Sequence, residues 1–248
     1  MNVMLDNDSE KKTLMRDIVI NQIYNAATAD RNIVFISADF GAQALDKYRN
    51  ELPDQFIHAG ISEQNMVDLS SGLAISGKQV FLYAMAPFIT ARCYEQIKCS
   101  LSSMSLPVTL IGVGVGLGYD HSTLTHFTIE DIACMRALNG IEILSPSDQK
   151  SAEVIATNAV ANPAFRYLRL ERNAQDQIYN DEFIQSLDTG FCEISKGDRV
   201  VIVSYGALLH KVIAARNKLK KEGLEVGIID LYRVKKINIH KISEYLSR

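Results

Sequence analysis

Residues 55–66 read Gln-Phe-Ile-His-Ala-Gly-Ile-Ser-Glu-Gln-Asn-Met and predict a short strand followed directly by a helix. Gly60 interrupts the strand pattern, because glycine permits the turn that ends it. Apolar residues then recur at helical spacing from Met66 onwards, and Ser62 is the expected N-cap, whose hydroxyl accepts a backbone N–H. Glu63 therefore lies in the first turn of a helix, where negative charge is favoured. Taken alone, such a glutamate is more typical of a capping turn than of catalysis.

The composition is that of an ordinary globular protein. The chain has 248 residues, of which 47% are hydrophobic and 22% charged, enough for one large domain and part or all of a second. Its net charge of −3 gives no general attraction to nucleic acid or to an anionic membrane. No apolar run is long enough to cross a membrane, and residues 1–12 form a polar tail without a signal core. The four cysteines lack metal-ligand spacing, so we expect reduced thiols in a cytoplasm.

Strand-like and helix-like segments alternate along most of the chain. This alternation predicts an α/β fold over residues 13–172, with a mainly parallel sheet and helices on both faces. The pattern is lost in residues 173–188, which we interpret as a linker, and it resumes as a partial second α/β unit over residues 189–248. Ligands of such folds bind beyond the carboxyl ends of the strands. Asp39 stands at such an end, after the strand at residues 33–36.

Three local patterns give finer predictions. A helix is expected from about Ile89 to Ser103. Residues 128–131, Thr-Ile-Glu-Asp, resemble a capping box that opens another helix. The glycines of residues 112–118 alternate with apolar residues and do not fit a dinucleotide-binding motif. We interpret them as a place where some other ligand approaches the backbone closely.

Four further side chains are candidates for a site at the strand ends. His121 and His126 share the loop after the glycines, and two histidines in one loop are as compatible with proton transfer as with a structural role. Phe88 ends the preceding strand and Tyr94 lies six residues on. Such aromatic residues usually belong to the core, but a phenylalanine at a strand end can stack on a flat ring.

Taken together, these residues resemble the pyrimidine-binding domain of the transketolase family. The resemblance runs from about Thr13 to Arg172 and continues more weakly through Arg248. The motifs that carry it are, in order, Gly60-Ile61-Ser62-Glu63-Gln64, Ala86-Pro87-Phe88 with Tyr94-Glu95-Gln96-Ile97, Thr125-His126 before Ile129-Glu130-Asp131-Ile132-Ala133, and Met135-Arg136-Ala137-Leu138 leading to Ser145-Pro146-Ser147-Asp148. Their order and spacing make the match specific.

The resemblance implies thiamine diphosphate as the cofactor. Glu63 matches the family's glutamate that hydrogen-bonds N1′ of the aminopyrimidine ring, so that the cofactor's own nitrogen can remove the thiazolium C2 proton. Phe88 matches the aromatic residue that stacks on this ring. Tyr94 and Asp39 complete the expected cofactor-binding set.

Substrate contacts are implied for three further residues. His126 matches a histidine that contacts substrate oxygens and moves protons, with His121 beside it. Arg172 lies where relatives bind the substrate phosphate, a role that suits the forked donors of arginine. One departure concerns the preferred sugar: relatives that select hydroxyl stereochemistry carry an aspartate where Ser122 stands, although Asp120 or His121 is close enough to substitute.

The family's diphosphate and metal site is missing from this sequence. Relatives hold Mg²⁺ with a Gly-Asp-Gly motif in a separate domain, and the near match Gly197-Asp198-Arg199 precedes a strand in the wrong unit. We therefore expect no metal ligands in this chain and Mg²⁺ held by a partner. The chain is similar to the C-terminal subunit of a split transketolase, active only with an N-terminal, diphosphate-binding subunit. We expect a homodimer when it is alone and a heterotetramer with that partner.

The leading hypothesis is a transferase subunit that moves a two-carbon ketol unit between sugars or sugar phosphates. One alternative is the β subunit of a 2-oxo acid dehydrogenase, which shares the domain and its glutamate. The loop with His126 favours transketolase. The other alternative is a non-catalytic assembly subunit, against which the presence of Glu63, Phe88 and His126 argues.

Overall fold

The computed structural model describes residues 13–180, 187–197 and 199–247. The helices are α1 (Met15–Ala29), α2 (Leu45–Glu51), α3 (Glu63–Ile75), α4 (Ala86–Ile89), α5 (Tyr94–Gln96), α6 (Asp131–Ala137), α7 (Gln149–Ala161), α8 (Leu208–Lys221) and α9 (Ile239–Leu246). The strands are β1 (Ile33–Ala38), β2 (Phe56–Gly60), β3 (Gln79–Met85), β4 (Val108–Val113), β5 (Glu142–Leu144), β6 (Arg166–Leu170), β7 (Cys192–Ser195), β8 (Val200–Ser204), β9 (Val226–Asp230) and β10 (Arg233–Lys235). Within these residues, none of the helices is long and apolar enough to span a membrane.

A large sheet forms the centre of the molecule. Among the described residues it has seven strands in the order β10-β5-β6-β4-β3-β1-β2. Neighbouring strands are parallel, except that β10 is antiparallel to β5. Strands β1, β4 and β6 are buried along their whole length, and β1 and β4 are nearly continuous apolar runs, as expected of strands covered on both faces. The predicted mainly parallel sheet is confirmed.

Helices cover both faces of this sheet, as predicted. Successive side chains of a strand point to opposite faces, so Phe35 packs in one hydrophobic cluster and Ile36 in the other. Helices α1 and α7 supply the first cluster, whereas α3 and α6 supply the second. Because β1, β2, β3 and β4 run in the same direction, their carboxyl ends meet at one edge. The candidate site residues lie at that edge.

A second, smaller sheet has the order β7-β9-β8 within the described residues. Strand β8 is parallel to β9, and β7 is antiparallel to it. The two sheets are tied together by β10, which follows the small sheet in sequence but pairs with β5 of the large one. At this contact the Glu142 carboxylate lies 2.6 Å from Nε of Arg166 and 3.0 Å from Nε of Arg233.

The segment predicted as a linker has no helix or strand in its described part, residues 173–180 and 187–188. It nevertheless packs on the large domain. Tyr179 is buried, and the Asp148 carboxylate accepts the backbone N–H groups of Ile178 and Tyr179 at 2.7 and 2.8 Å. Residues 1–12 and 181–186 of the predicted tail and linker lie outside the described residues.

Two local predictions are wrong. The helix expected from Ile89 to Ser103 is divided into the end of α4, the short α5 and a π-helical turn over Ile97–Ser102, because Thr90 leaves the helical conformation at φ −115°, ψ −85°. Residues 128–131 form no capping box. The backbone of Thr128 exchanges hydrogen bonds with Gly116 instead, so α6 begins only at Asp131, without a side-chain cap.

Candidate active site

The turn between β2 and α3 places Glu63 at the carboxyl edge of the large sheet. Strand β2 ends at Gly60, whose φ of +69° suits glycine. Ser62 is the N-cap residue, but the predicted side-chain cap is wrong: its hydroxyl donates to the Ala59 carbonyl within the turn. Glu63 follows as the first residue of α3 and is only 5% exposed.

A cavity of about 250 Å³ opens beside Glu63. Its lining comes from the ends of β1 and β3, the β2–α3 turn, and α4 with the residues after it: Ala38, Asp39, Phe40, Ile61, Glu63, Ala84, Met85, Phe88 and Arg92. The volume is below the range of about 300–1,000 Å³ typical of pockets for drug-sized ligands, so it suits a single ring system. The cavity brings together Glu63, Phe88 and Asp39 from the predicted site.

Arg92 connects the two most important walls of this cavity. Its Nη1 donates to the Glu63 Oε2 at 3.0 Å, and its guanidinium carbon lies 3.9 Å from the centre of the Phe88 ring. A buried carboxylate requires such a partner, and a guanidinium over an aromatic face is a favourable cation–π contact. Arg92 was not predicted from the sequence, because its contact with Glu63 spans 29 positions of the chain.

The loop between β4 and α6 brings His126 to the same place. Its ring meets the Phe88 ring edge-on, with centres 5.2 Å apart. The Thr125 hydroxyl lies 2.9 Å from Nδ1 of His126, which orients the imidazole. Thr123 begins this turn with φ +64°, a conformation that few side chains adopt without strain. His126 therefore packs against Phe88, a residue of the cavity wall, and is oriented by Thr125.

Tyr119 links His126 to the two remaining predicted residues. The Tyr119 ring lies 6.3 Å from the rings of both His121 and His126, and the Arg172 guanidinium carbon lies 4.5 Å from its centre. Arg172 also donates to the Gly118 carbonyl at 3.2 Å and lies 3.3 Å from Nδ1 of His121. Burial raises the pKa of Tyr119, against the opposing charge of Arg172, so this ring is a neutral phenol at neutral pH. Tyr119 was not among the site residues predicted from the sequence.

The interpretation of the glycine segment needs correction. At Gly112 and Gly114 an added Cβ would meet the rings of Tyr167 and Tyr119, at 2.9 and 1.9 Å. These glycines make room for the protein's own tyrosines and not for a ligand. Tight packing of internal rings explains both glycines, and Gly114 also has a φ of +81° that favours glycine; sequence alone could not distinguish a tyrosine from a ligand.

Tyr94 does not lie at the Glu63 cavity. It lines a separate, more open cavity of about 490 Å³ together with Lys98, Ser102, Ser103, Ser105, Ala137, Leu138 and Asn139. The backbone between Phe88 and Tyr94 is irregular, since α4 ends at Ile89 and α5 begins only at Tyr94. The other predicted site residues form one connected group.

Few side chains in this group could act as a nucleophile or bind a metal ion. Burial is the main cause that raises the pKa of Cys93 to about 12, so this thiol beside Arg92 stays protonated, and its sulfur donates to the Phe88 carbonyl. In the described part of the chain, no cluster of three or more His, Cys, Asp or Glu side chains could hold a metal ion.

Two known family models match this chain. The family described as "Transketolase, pyrimidine binding domain" matches residues 11–177, and "Transketolase, C-terminal domain" matches residues 192–248. The first match alone covers more than half of the chain. The chain belongs to the transketolase family.

Its similarity to other members extends to proteins made of separate subunits. It is 30% identical over 217 residues to an apulose-4-phosphate transketolase subunit of Phocaeicola vulgatus, covering 87% of this chain and 70% of the relative. It is 25% identical over 224 residues to the 6-deoxy-6-sulfo-D-fructose transketolase subunit SqwH of a Clostridium species, covering 89% and 69%. A solved structure described as a split gene transketolase, inactive beta4 tetramer, has the same fold, with a TM-score of 0.84 at 24% identity over 94% of this chain and 75% of that one.

Proposed function

We propose that this protein is one subunit of a thiamine-diphosphate-dependent transketolase, which transfers a two-carbon ketol unit between sugar or sugar-phosphate substrates. The observation that supports this proposal is the cavity beside Glu63. There, the buried carboxylate of Glu63 and the flat apolar ring of Phe88 lie side by side. These two walls fit a planar ring that has an N–H donor on its edge. The aminopyrimidine of thiamine diphosphate is such a ring when its N1′ nitrogen carries a proton.

When bound, thiamine diphosphate supplies the nucleophilic carbon that carries the transferred unit. The residues of this chain hold and orient the cofactor ring and the substrate. Glu63 accepts a hydrogen bond from the ring nitrogen, Phe88 stacks on the ring, and Asp39 contributes a polar group at the rim of the cavity. His126 moves protons at the substrate oxygens, since it stands next to Phe88 with Thr125 on its Nδ1.

The diphosphate and Mg²⁺ are proposed to be held by a partner subunit. Gly197, in the near match to the family's metal motif, has another role in this chain: an added Cβ would lie 2.0 Å from the backbone nitrogen of Gly227. It is thus a glycine just after β7 that packs closely against the backbone of β9. The relatives that are named as transketolase subunits support a two-component enzyme.

Self-association is proposed for the chain alone. The similar solved structure is described as an inactive tetramer of β chains, which supports an inactive homo-oligomer that becomes active on binding its partner. Light scattering of the purified chain is expected to give an oligomer, and addition of the partner is expected to give a heterotetramer. A stable monomer would contradict this part of the proposal.

An anionic sugar is proposed as the substrate. Arg172 and His121 lie close together outside the cavity. The Tyr119 ring lies near both Arg172 and His126 and so links the two groups. The two relatives are named for a phosphorylated and a sulfonated sugar, and a guanidinium binds either anion well.

The test is reconstitution with a diphosphate-binding subunit, thiamine diphosphate, Mg²⁺, a ketose phosphate and an aldehyde acceptor. Ketol transfer is expected only when all components are present, and Glu63→Gln is expected to lower turnover about 100- to 10,000-fold. Asp230→Asn, at a buried carboxylate in the other sheet, is the matched control and should retain turnover. Unchanged turnover of Glu63→Gln would support a non-catalytic subunit instead, and transfer to a lipoyl protein would indicate a 2-oxo acid dehydrogenase.

A further inference from the structure

Arg92 contacts both groups that the proposed cofactor ring would contact, the Glu63 carboxylate and the Phe88 ring. One nitrogen of its guanidinium bonds the Glu63 carboxylate at 3.0 Å, and the same guanidinium covers the Phe88 ring at 3.9 Å. Both walls belong to the cavity of about 250 Å³, which Arg92 itself lines. A single side chain of this protein therefore makes the stacking contact and the carboxylate contact together.

The chemistry of the two groups is alike. A guanidinium is flat, carries N–H donors at its edge and stacks on aromatic rings. An aminopyrimidine is also flat and, in the proposed function, directs an N–H toward Glu63. At 3.9 Å the guanidinium leaves no gap on that face of Phe88 for a second flat group. The two cannot lie on the same face of the Phe88 ring at once, and both direct N–H donors at the Glu63 carboxylate.

The position of Arg92 allows it to leave. It stands in the irregular turn between α4 and α5, and its side chain is 42% exposed. The guanidinium can rotate into water without burying its charge, whereas Glu63, at 5% exposure, cannot. Arg92 is thus a surface residue that donates a hydrogen bond to a buried carboxylate.

We propose that Arg92 is a displaceable stand-in for the pyrimidine ring, which holds Glu63 and Phe88 in place and competes with thiamine diphosphate for them. The inference rests on the proposed function. It makes Arg92 a positioning residue, since its competition with the cofactor sets how readily the pocket is filled. Removing a competing internal contact raises the apparent affinity for the ligand.

The first experiment measures cofactor affinity by calorimetry in the complex of this chain with its diphosphate-binding partner and Mg²⁺. Arg92→Ala is expected to lower the Kd for thiamine diphosphate by roughly 10-fold relative to the wild type. Arg92→Lys keeps the charge but loses the flat stack, so its Kd should lie between the two. Lys98→Ala, which removes the same charge from the wall of the other cavity, should leave the Kd unchanged. An unchanged or higher Kd for Arg92→Ala would overturn the inference.

The second experiment needs no cofactor. In the chain alone, Arg92→Ala is expected to lower the urea midpoint more when Glu63 is present than in a Glu63→Ala background, where only the contact with Phe88 remains to be lost. Equal shifts in both backgrounds would mean that the contact is absent, which overturns the inference whatever the cofactor does. If no protein, wild type included, binds thiamine diphosphate, the proposed function fails. If the wild type binds and Arg92→Ala gains nothing, only the role of Arg92 fails.

Discussion

Glu63 and Asp230 are both buried carboxylates, but their surroundings differ. Glu63 opens on a cavity and pairs with the guanidinium of Arg92. Asp230 is fully buried at the end of β9, where its Oδ2 accepts the hydroxyls of Ser147 and Tyr179 at 2.9 and 2.6 Å. We call the first region the Glu63 cavity. The second, which also contains Glu142, is the junction between the two sheets.

The two regions differ in whether the partner of the buried carboxylate can be replaced by a ligand. The partner of Glu63 is a half-exposed cation that can be replaced by a ligand. The partners of Asp230 are hydroxyls packed from the start of α7 and from the connecting segment, in a fully buried setting. We therefore expect changes at the Glu63 cavity to alter rate and changes at the junction to alter stability.

The largest expected effect is on turnover. His126→Asn is expected to lower kcat/KM about 100- to 10,000-fold in the reconstituted enzyme, because it removes a proton-transfer group beside Phe88. The urea midpoint should stay close to that of the wild type. His240→Asn, on the exposed face of α9, is the control and should change neither quantity. Full activity of the His126→Asn enzyme would contradict the expectation that changes at the Glu63 cavity alter the rate.

The next effect is on stability at the junction. Glu142→Gln leaves Arg166 and Arg233 without their shared carboxylate, and breaking a buried ion pair costs about 3–5 kcal/mol. Urea unfolding of the chain measures this loss. The control is Glu153→Gln, which breaks a partly exposed pair with Lys150 and should cost less than about 1 kcal/mol. Equal costs for both variants would show that the ion pairs of Glu142 do not stabilise the junction.

A pH dependence follows from Asp230. Burial raises its pKa from the ordinary 3.8 to about 7, so between these values the folded chain binds a proton that the unfolded chain lacks. Its contribution to stability is complete below the unfolded pKa of 3.8 and is lost as the pH rises towards 7. Asp230→Asn should flatten this decline, so that its stability relative to wild type is about 1–3 kcal/mol better at about pH 8 than at about pH 5. Parallel profiles for the two proteins would mean that Asp230 does not titrate there; exposed Asp46→Asn is the control.

The smallest effect concerns the cap of α7. Ser151→Ala removes the hydroxyl that accepts the backbone N–H of Asp148 and completes the capping box, at a cost of about 1 kcal/mol. Thr157→Ala, exposed on the same helix, should cost clearly less. A loss of activity with Ser151→Ala beyond that stability change would show that the junction also controls the Glu63 cavity.

Much of the fold and part of the site were predictable from the sequence. The alternation of strands and helices, the buried strand at residues 33–36 and the position of Glu63 at a helix start all follow from short-range periodicity and from Gly60. The group of Glu63, Phe88, Asp39, His126, His121 and Arg172 was selected by resemblance to the family. Tyr94 was misplaced because the backbone after Phe88 is irregular, and periodicity does not reveal a π-helical turn.

The sequence by itself determined the layered α/β architecture and the place of Glu63, because hydrophobic spacing and turn residues act over a few positions. The tertiary structure alone decided which groups meet. Arg92 reaches Glu63 across 29 positions, Asp230 bonds Ser147 across 83, and β10 returns to the large sheet beside β5. Such contacts depend on how whole elements pack, and no local pattern in the chain encodes them.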